Sequence, residues 1–276
     1  MSEERHGVSR LAASADRRRI AVISLRGVIG GAVRTDETLR TLGVARRTAR
    51  VRAVLLEIDS PGGSATESEA IYLGVRRLAR EKPVVAWIRG TGASGAYFAA
   101  CGASRILAFP SAIVGSIGVI SIRPVAVEAL RRLGASVQVT KTGPFKDLGA
   151  PWREPTKEDR GKEQALVDAI FHRFTGAVAD ARGLDEARLA RVTTGEVWLG
   201  TEAVTLGLVD RDCEDEEDAL REAQRLAGLP HRRIVRMGPR RTVLQRLGVP
   251  GAGMGPPGVR WIAELEGWFR APRATL

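Results

Sequence analysis

From Ile20 to Ala103, strand-like and helix-like stretches alternate. IAVISLRGVIGG, VRAVLLEID and PVVAWIRG are apolar runs ending in glycines or a tight turn, whereas TDETLRTLGVARRTAR, ESEAIYLGVRRLAREK and ASGAYFAACGA carry helical spacing. A strand that is apolar along its length is buried on both faces, and helices crossing over between such strands supply the cover. The pattern therefore predicts an α/β fold with a mostly parallel sheet and crossover helices. RILAF and AIVGSIGVI are expected to continue as short strands, VAVEALRRLG as a helix and SVQVTK as another strand. After the loop TGPFKDLGAPWREP, a helix from about Thr156 to Ala181 places Leu166, Val167, Ile170, Phe171, Phe174 and Val178 on one stripe, expected to face the core. EVWLGTEAVTLGLVD closes a small helical region, and EDEEDALREAQRLAG is amphipathic with acids in its first turn, where the helix dipole favours them.

The chain's 276 residues suit one large domain with appendages: a polar tail over 1–19, a domain over 20–229 and a basic extension over 230–276. In that extension, HRRIVRMGPRRTVLQRLG is strongly basic and VPGAGMGPPG reads as a linker. VRWIAELEGWF then repeats Trp261, Ile262, Leu265, Trp268 and Phe269 at helical intervals. Such a stripe ordinarily docks on the protein's own core or a sister subunit, and the alternative is a peripheral membrane contact. The formal charge of +11 is arginine-dominated, with only five lysines, Lys82, Lys141, Lys146, Lys157 and Lys162. No zinc pattern, RNA-binding aromatic motif or helix-turn-helix spacing accompanies it, so no nucleic-acid partner is expected. Two cysteines are too few for a disulfide framework and lack metal-ligand spacing, and Cys101 reads as a small buried hydrophobe. Residues 1–19 hold no signal peptide or membrane span, which places the chain in the cytoplasm or at a membrane periphery as an expectation.

In a parallel sheet the working residues sit in loops beyond the carboxyl ends of the strands, and SPGG (60–63) and TGASGA (91–96) both lie there. Glycines let a backbone amide approach a ligand, so Gly63 N–H and Gly95 N–H could converge on one oxygen and stabilise an oxyanion. Ser94 opens a helix, where the ordinary reading of a serine is an N-cap. As a nucleophile it needs a proton acceptor. The three histidines do not supply one: His6 is in the tail, His172 on a polar helix edge and His231 among arginines. The G-x-S-x-G elbow is also absent, because Ser94 is followed by Gly95 and Ala96. Lysine remains, since a desolvated lysine can release its proton whereas arginine stays charged. Lys146 stands in the glycine and proline loop GPFKD, beside Phe145 and Leu148. A surface pair of Lys146 with Asp147 is the alternative, and local sequence leaves the two open. For Ser116, in VGSIGV, the ordinary reading is a strand-end serine bonded to backbone, and the alternative is a hydroxyl that orients a neutral amine.

Taken together, IDSPGG, GASGAYFAA, VGSIGVI, KTGPFKDLGAPWREPTKED and GEVWLGTEAVTLGLVD resemble the signal peptide peptidase A family of serine peptidases, within the Clp-protease and crotonase-like superfamily. The resemblance runs from about Ile20 to Gly228, and the spacings of 22 residues from Ser94 to Ser116 and 52 from Ser94 to Lys146 are similar to those of single-domain members. It implies a Clp/crotonase-like fold, Ser94 as nucleophile, Lys146 as general base and acid, Ser116 as the hydroxyl orienting Lys146, and Gly63 with Gly95 as oxyanion donors. It further implies a Ser–Lys endopeptidase without metal or nucleotide cofactor. Its substrates would be extended apolar peptides such as signal-peptide remnants, bound as added strands. Subunits would associate into a homo-oligomeric ring or dome, in which adjacent protomers contribute the serine and lysine of one site.

Two features depart from that family. Its members commonly carry an amino-terminal membrane anchor, which is not seen in this sequence, and Ser64 stands where a third glycine is frequent. Three other functions fit parts of the pattern. An acyl-coenzyme A hydratase or isomerase of the crotonase type wants paired carboxylates at the oxyanion site, which neither SPGG nor ASGA supplies. A non-catalytic scaffold would use the basic carboxyl end to bind membrane or nucleic acid. A phage capsid-maturation peptidase would use the same chemistry.

Overall fold

A computed structural model describes residues 18–238. β1 (Arg19–Arg26), β2 (Val51–Ser60) and β3 (Val84–Ala93) lie parallel, with α1 (Thr35–Arg47) and α2 (Ala65–Ala79) as the crossovers. The continuous β-branched runs are buried on both faces, as their lack of alternation requires. In β2, Val54, Leu56 and Ile58 join the larger core beneath α1, α2 and α3 (Gly95–Ala100). Ala53 and Leu55 point the other way, into a smaller core closed by α8 (Glu216–Leu226). Each fully buried Leu or Ile contributes about 1.5–3 kcal/mol.

β3 forks. Its residues 85–88 pair with β4 (Arg105–Ala108), and its last three, 91–93, pair with β5 (Ile113–Gly115). β5 pairs antiparallel with β6 (Val197–Leu199), β4 continues to β7 (Arg211–Asp212), and β8 (Ile234–Met237) closes the other edge beside β1. The result is the mostly parallel α/β sheet expected from sequence, with one antiparallel pair. β8 draws four residues of the basic stretch after Pro230 into the sheet, and Val235 and Met237 pack on the larger core.

The remaining helices are α4 (Val127–Arg132), α5 (Lys157–Arg182), α6 (Glu186–Val192) and α7 (Gly200–Thr205). α5 starts at a capping box, in which the Thr156 hydroxyl accepts from Asp159 N–H while the Asp159 carboxylate accepts from Thr156 N–H. It ends at Gly183 in the left-handed conformation (φ 60°). No helix among the described residues is long and apolar enough to cross a membrane.

Three expectations change. SVQVTK forms no strand: Val137 and Val139 alternate as a strand would, but both are exposed and no neighbouring strand pairs with them among the described residues. AIVGSIGVI is extended only over 113–115, because the backbone turns at Ser116 (φ 50°). The α5 stripe is buried only in its second half, at Phe174 and Val178, while Leu166 is exposed. The Gly/Pro linker and the Trp261–Phe269 stripe lie outside the described residues, as does the tail through residue 17.

Candidate active site

β3 ends at Ala93, and the chain turns sharply at Ser94 before entering α3. Ser94 has φ 51° and ψ −125°, a conformation costly for any residue with a Cβ. Among the described residues only one other non-glycine has positive φ, and it is Ser116. The two strained serines are neighbours, because Ala93 and Gly115 are register partners and Ser94 N–H donates to Gly115 O at 2.8 Å. Ser116 N–H in turn donates to Glu196 O at 2.6 Å, and the Trp198 ring fills the space where a Gly115 side chain would stand. Ser94 is no side-chain cap: its hydroxyl makes no cap hydrogen bond and is left available.

The SPGG turn lies against this corner. A methyl on Gly62 would fall 2.7 Å from Gly95 N and 3.0 Å from Ser94 Cβ, and one on Gly63 would overlap the Ile29 carbonyl oxygen. Both positions also need positive φ, 97° and 152°, so glycine is required twice over. The planar peptide between them is oriented by Ile29, whose N–H donates to Gly62 O at 2.7 Å, while Ser64 N–H donates to Ile29 O at 3.1 Å. In a trans peptide the N–H points opposite to the carbonyl, so Gly63 N–H faces away from Ile29. Gly63 N–H and Gly95 N–H donate to no protein acceptor among the described residues. Two unused amides beside an unused hydroxyl are an arrangement that can receive a developing oxyanion next to a nucleophile.

A buried polar clamp holds α3 in place. Tyr97 OH donates to Leu208 O at 2.8 Å, and Arg182, at the end of α5, donates to Gly207 O at 2.7 Å and to both carboxylate oxygens of Asp210. Cys101, at the far end of α3, is buried, and burial pushes its thiol up to about 12, so it stays protonated and inert.

Lys146 stands apart. It is exposed, and its ammonium makes no hydrogen bond or ion pair with any described residue, Ser94 and Ser116 included. The expected burial of its loop is not provided by the described residues. Nor is Lys146 paired with Asp147, since neighbouring side chains diverge. The Asp147 carboxylate instead accepts from Lys141 Nζ at 2.7 Å and from Arg153 at 3.0 Å. Arg153 continues to Asp159 in the α5 capping box. Arg153 first and Lys141 second hold the Asp147 carboxyl at about 2. An ionic lattice thus staples the loop at both ends and presents Lys146 outward. In the chain segment that leads to this loop, apolar side chains lack cover: Ile120 is 81%, Ile122 75% and Leu133 80% exposed. Sequence reading did not single out Asp147, Arg153 or Trp198 as supports. Their spacing carries no periodic signal, and only the fold brings them into contact.

The model of peptidase family S49 matches residues 76–230. A Synechocystis protein provisionally named a protease is 36% identical over 213 residues, covering 77% of this chain and 76% of its own. One from Methanocaldococcus jannaschii, also provisionally named a protease, is 37% identical over 188 residues, covering 68% of this chain and 60% of its own. Protease 4 of Salmonella typhi is 34% identical over 218 residues, covering 76% of this chain but only 35% of its own. Two solved structures of a membrane-bound stomatin-specific protease, one a serine-to-alanine mutant and one a lysine-to-alanine mutant with a substrate peptide, superpose with TM-scores of 0.51 and 0.52. Both are 16% identical and cover 80% and 86% of this chain and 98% and 99% of theirs, a likeness of fold.

Proposed function

The chain belongs to peptidase family S49, and on that premise we propose that it is a serine endopeptidase with Ser94 as nucleophile and Lys146 as general base and acid. One observation carries this reading: the two strained non-glycine residues, Ser94 and Ser116, stand side by side next to the two unused amides of Gly63 and Gly95. Backbone strain of about 1–3 kcal/mol per residue persists where the surrounding structure enforces it, and active sites are where it collects.

In the proposed reaction the uncharged Lys146 amine accepts the Ser94 proton as Oγ bonds to the substrate carbonyl carbon. The carbonyl oxygen takes the negative charge and receives hydrogen bonds from Gly63 N–H and Gly95 N–H. Collapse breaks the C–N bond, and Lys146 returns its proton to the leaving amine. Water then attacks the acyl-enzyme with the amine again as base, releasing the acid and restoring Ser94. Ser116 aims the amine, and its strained backbone is consistent with a fixed hydroxyl. No step requires a metal or nucleotide.

We further propose that Lys146 works in the site of an adjacent copy. The braced loop leaves it exposed, and Ile120, Ile122 and Leu133 in the preceding segment are exposed apolar side chains of the kind buried between subunits. Burial there would supply the desolvation that a neutral lysine needs. Substrates are proposed to be extended apolar peptides, such as signal-peptide remnants, added along the strand edge near Ser94. Peripheral membrane attachment through the basic carboxyl-terminal stretch would bring the enzyme to such peptides. The experiment is labelling of assembled protein with a peptidyl phosphonate between pH 6 and 10, followed by mass mapping. An adduct on Ser94 that is absent in Lys146→Ala is expected, and no adduct at any pH would remove the peptidase reading.

A further inference from the structure

Behind the two proposed oxyanion amides lies a buried hydroxyl with no part in the mechanism above. Ser68, on the first turn of α2, is fully buried. A methyl placed on Gly95 would overlap Ser68 Oγ, and would lie 2.8 Å from Ser68 Cβ and 3.5 Å from Gly63 N. Ser68 therefore fills the space beside the Gly95 Cα, on the side where the Gly63 amide also lies. Its hydroxyl donates to Ser64 O at 2.8 Å, and its own N–H donates to the same oxygen at 2.9 Å. A serine hydroxyl bonded one turn back is ordinary in a helix. The unusual part is where this one sits. Ser64 directly follows Gly63, so the same side chain is tied to the residue after the first amide and packed against the residue that carries the second. A second buried hydroxyl, that of Ser60, accepts from Gly62 N–H at 3.1 Å and steadies the other end of the turn.

We infer that Ser68 is a positioning residue that sets the separation of Gly63 N–H and Gly95 N–H, so that one oxyanion reaches both. This rests on the reading of those amides as oxyanion donors. The fit is tight in both directions. Nothing larger than a hydrogen is tolerated at Gly95 while Ser68 stands there, and a smaller residue at 68 leaves the Gly95 amide unsupported from behind. Displacing a catalytic donor by a fraction of an ångström costs the transition state more than the ground state, so the effect falls on kcat and not on KM.

The test uses the full chain in its assembled form, with a fluorogenic apolar peptide and the peptidyl phosphonate. Ser68→Ala is expected to lower kcat about tenfold, with KM within about twofold and the melting temperature nearly unchanged. Gly95→Ala is expected to lose about a hundredfold or more in kcat. Adding Ser68→Gly to it, which makes room for the new methyl, should recover at least about tenfold of that loss, as coupled neighbours do. Recovery would show that the two side chains compete for one space, and a loss of kcat in Ser68→Ala at unchanged KM and melting temperature is the result that a purely structural serine would not produce. Wild-type kcat in Ser68→Ala and Ser68→Gly, or a double variant no more active than Gly95→Ala, would overturn the inference. A wild type that the phosphonate labels, with Ser68 variants labelled equally fast, removes this inference alone. A wild type that is never labelled removes the peptidase reading along with it.

Discussion

The corner holding Ser94 and the loop holding Lys146 are built by different physics. Ser94, Ser116, Gly63 and Gly95 hang from the ends of β2, β3 and β5, fixed by backbone hydrogen bonds of the two serines and of Gly62 and Ser64, and by glycines that no side chain could replace. Lys146 is held by ion pairs among Lys141, Asp147, Arg153 and Asp159, on a stretch whose apolar residues face outward. One half of the proposed site is complete within the described residues, and the other is proposed to lie on a surface between copies. Rigid strain suits a nucleophile and its oxyanion donors, which need fixed geometry. A lysine that must lose its charge needs desolvation instead, and an interface can supply it.

The sharpest break of this contrast is removal of either reacting group. Ser94→Ala and Lys146→Ala are each expected to lower kcat by about four orders of magnitude, with melting temperatures close to wild type, and Lys146→Arg should be as inactive because its guanidinium keeps its proton. Activity surviving in the arginine variant would contradict the neutral-base role. Next in size, Gly63→Ala should cost about a hundredfold in kcat, since its methyl would push the turn off the Ile29 carbonyl. Unlike the lysine variants, it should also lower the melting temperature.

On the other side of the comparison, Ile120→Ser with Ile122→Ser should weaken self-association by about a hundredfold in dissociation constant while leaving the melt of the dilute chain nearly unchanged. Sedimentation at graded concentrations reads the first quantity and calorimetry the second. A smaller effect concerns acid. The Asp147 carboxyl is held at about 2 by Arg153 and Lys141, below its unfolded value near 4. A depressed carboxyl stabilises above its unfolded pKa and loses that contribution as pH falls through the folded one. The loop should therefore stay protected from hydrogen exchange at Phe145–Leu148 down to about pH 4, and lose protection between there and about pH 2. Loss already near pH 6 would show that other groups brace it.

What sequence conveyed follows the same division. β1, β2 and β3 were legible because an unbroken apolar run between turns has few other uses, and their carboxyl ends located SPGG and Ser94. The strain at Ser94 and Ser116 was not legible, since it arises from the pairing of Ala93 with Gly115 and not from the residues themselves. SVQVTK had a strand's alternation without a partner, and pairing is what makes a strand. β8 was hidden in the opposite way: the arginines around Ile234–Met237 masked four residues that the edge of β1 recruits. The α5 stripe was right in period, yet the described residues cover only half of it. Sequence periodicity cannot say whose core a face belongs to.

The most direct measurement of a site shared between copies is complementation. Ser94→Ala and Lys146→Ala chains, each inactive alone, are mixed under dissociating conditions and allowed to reassemble. If Lys146 serves a neighbour's Ser94, random mixing pairs an intact serine with an intact lysine in about a quarter of the sites, and a like share of wild-type activity returns. Mixtures that reassemble fully and stay inactive would show that serine and lysine must come from one chain.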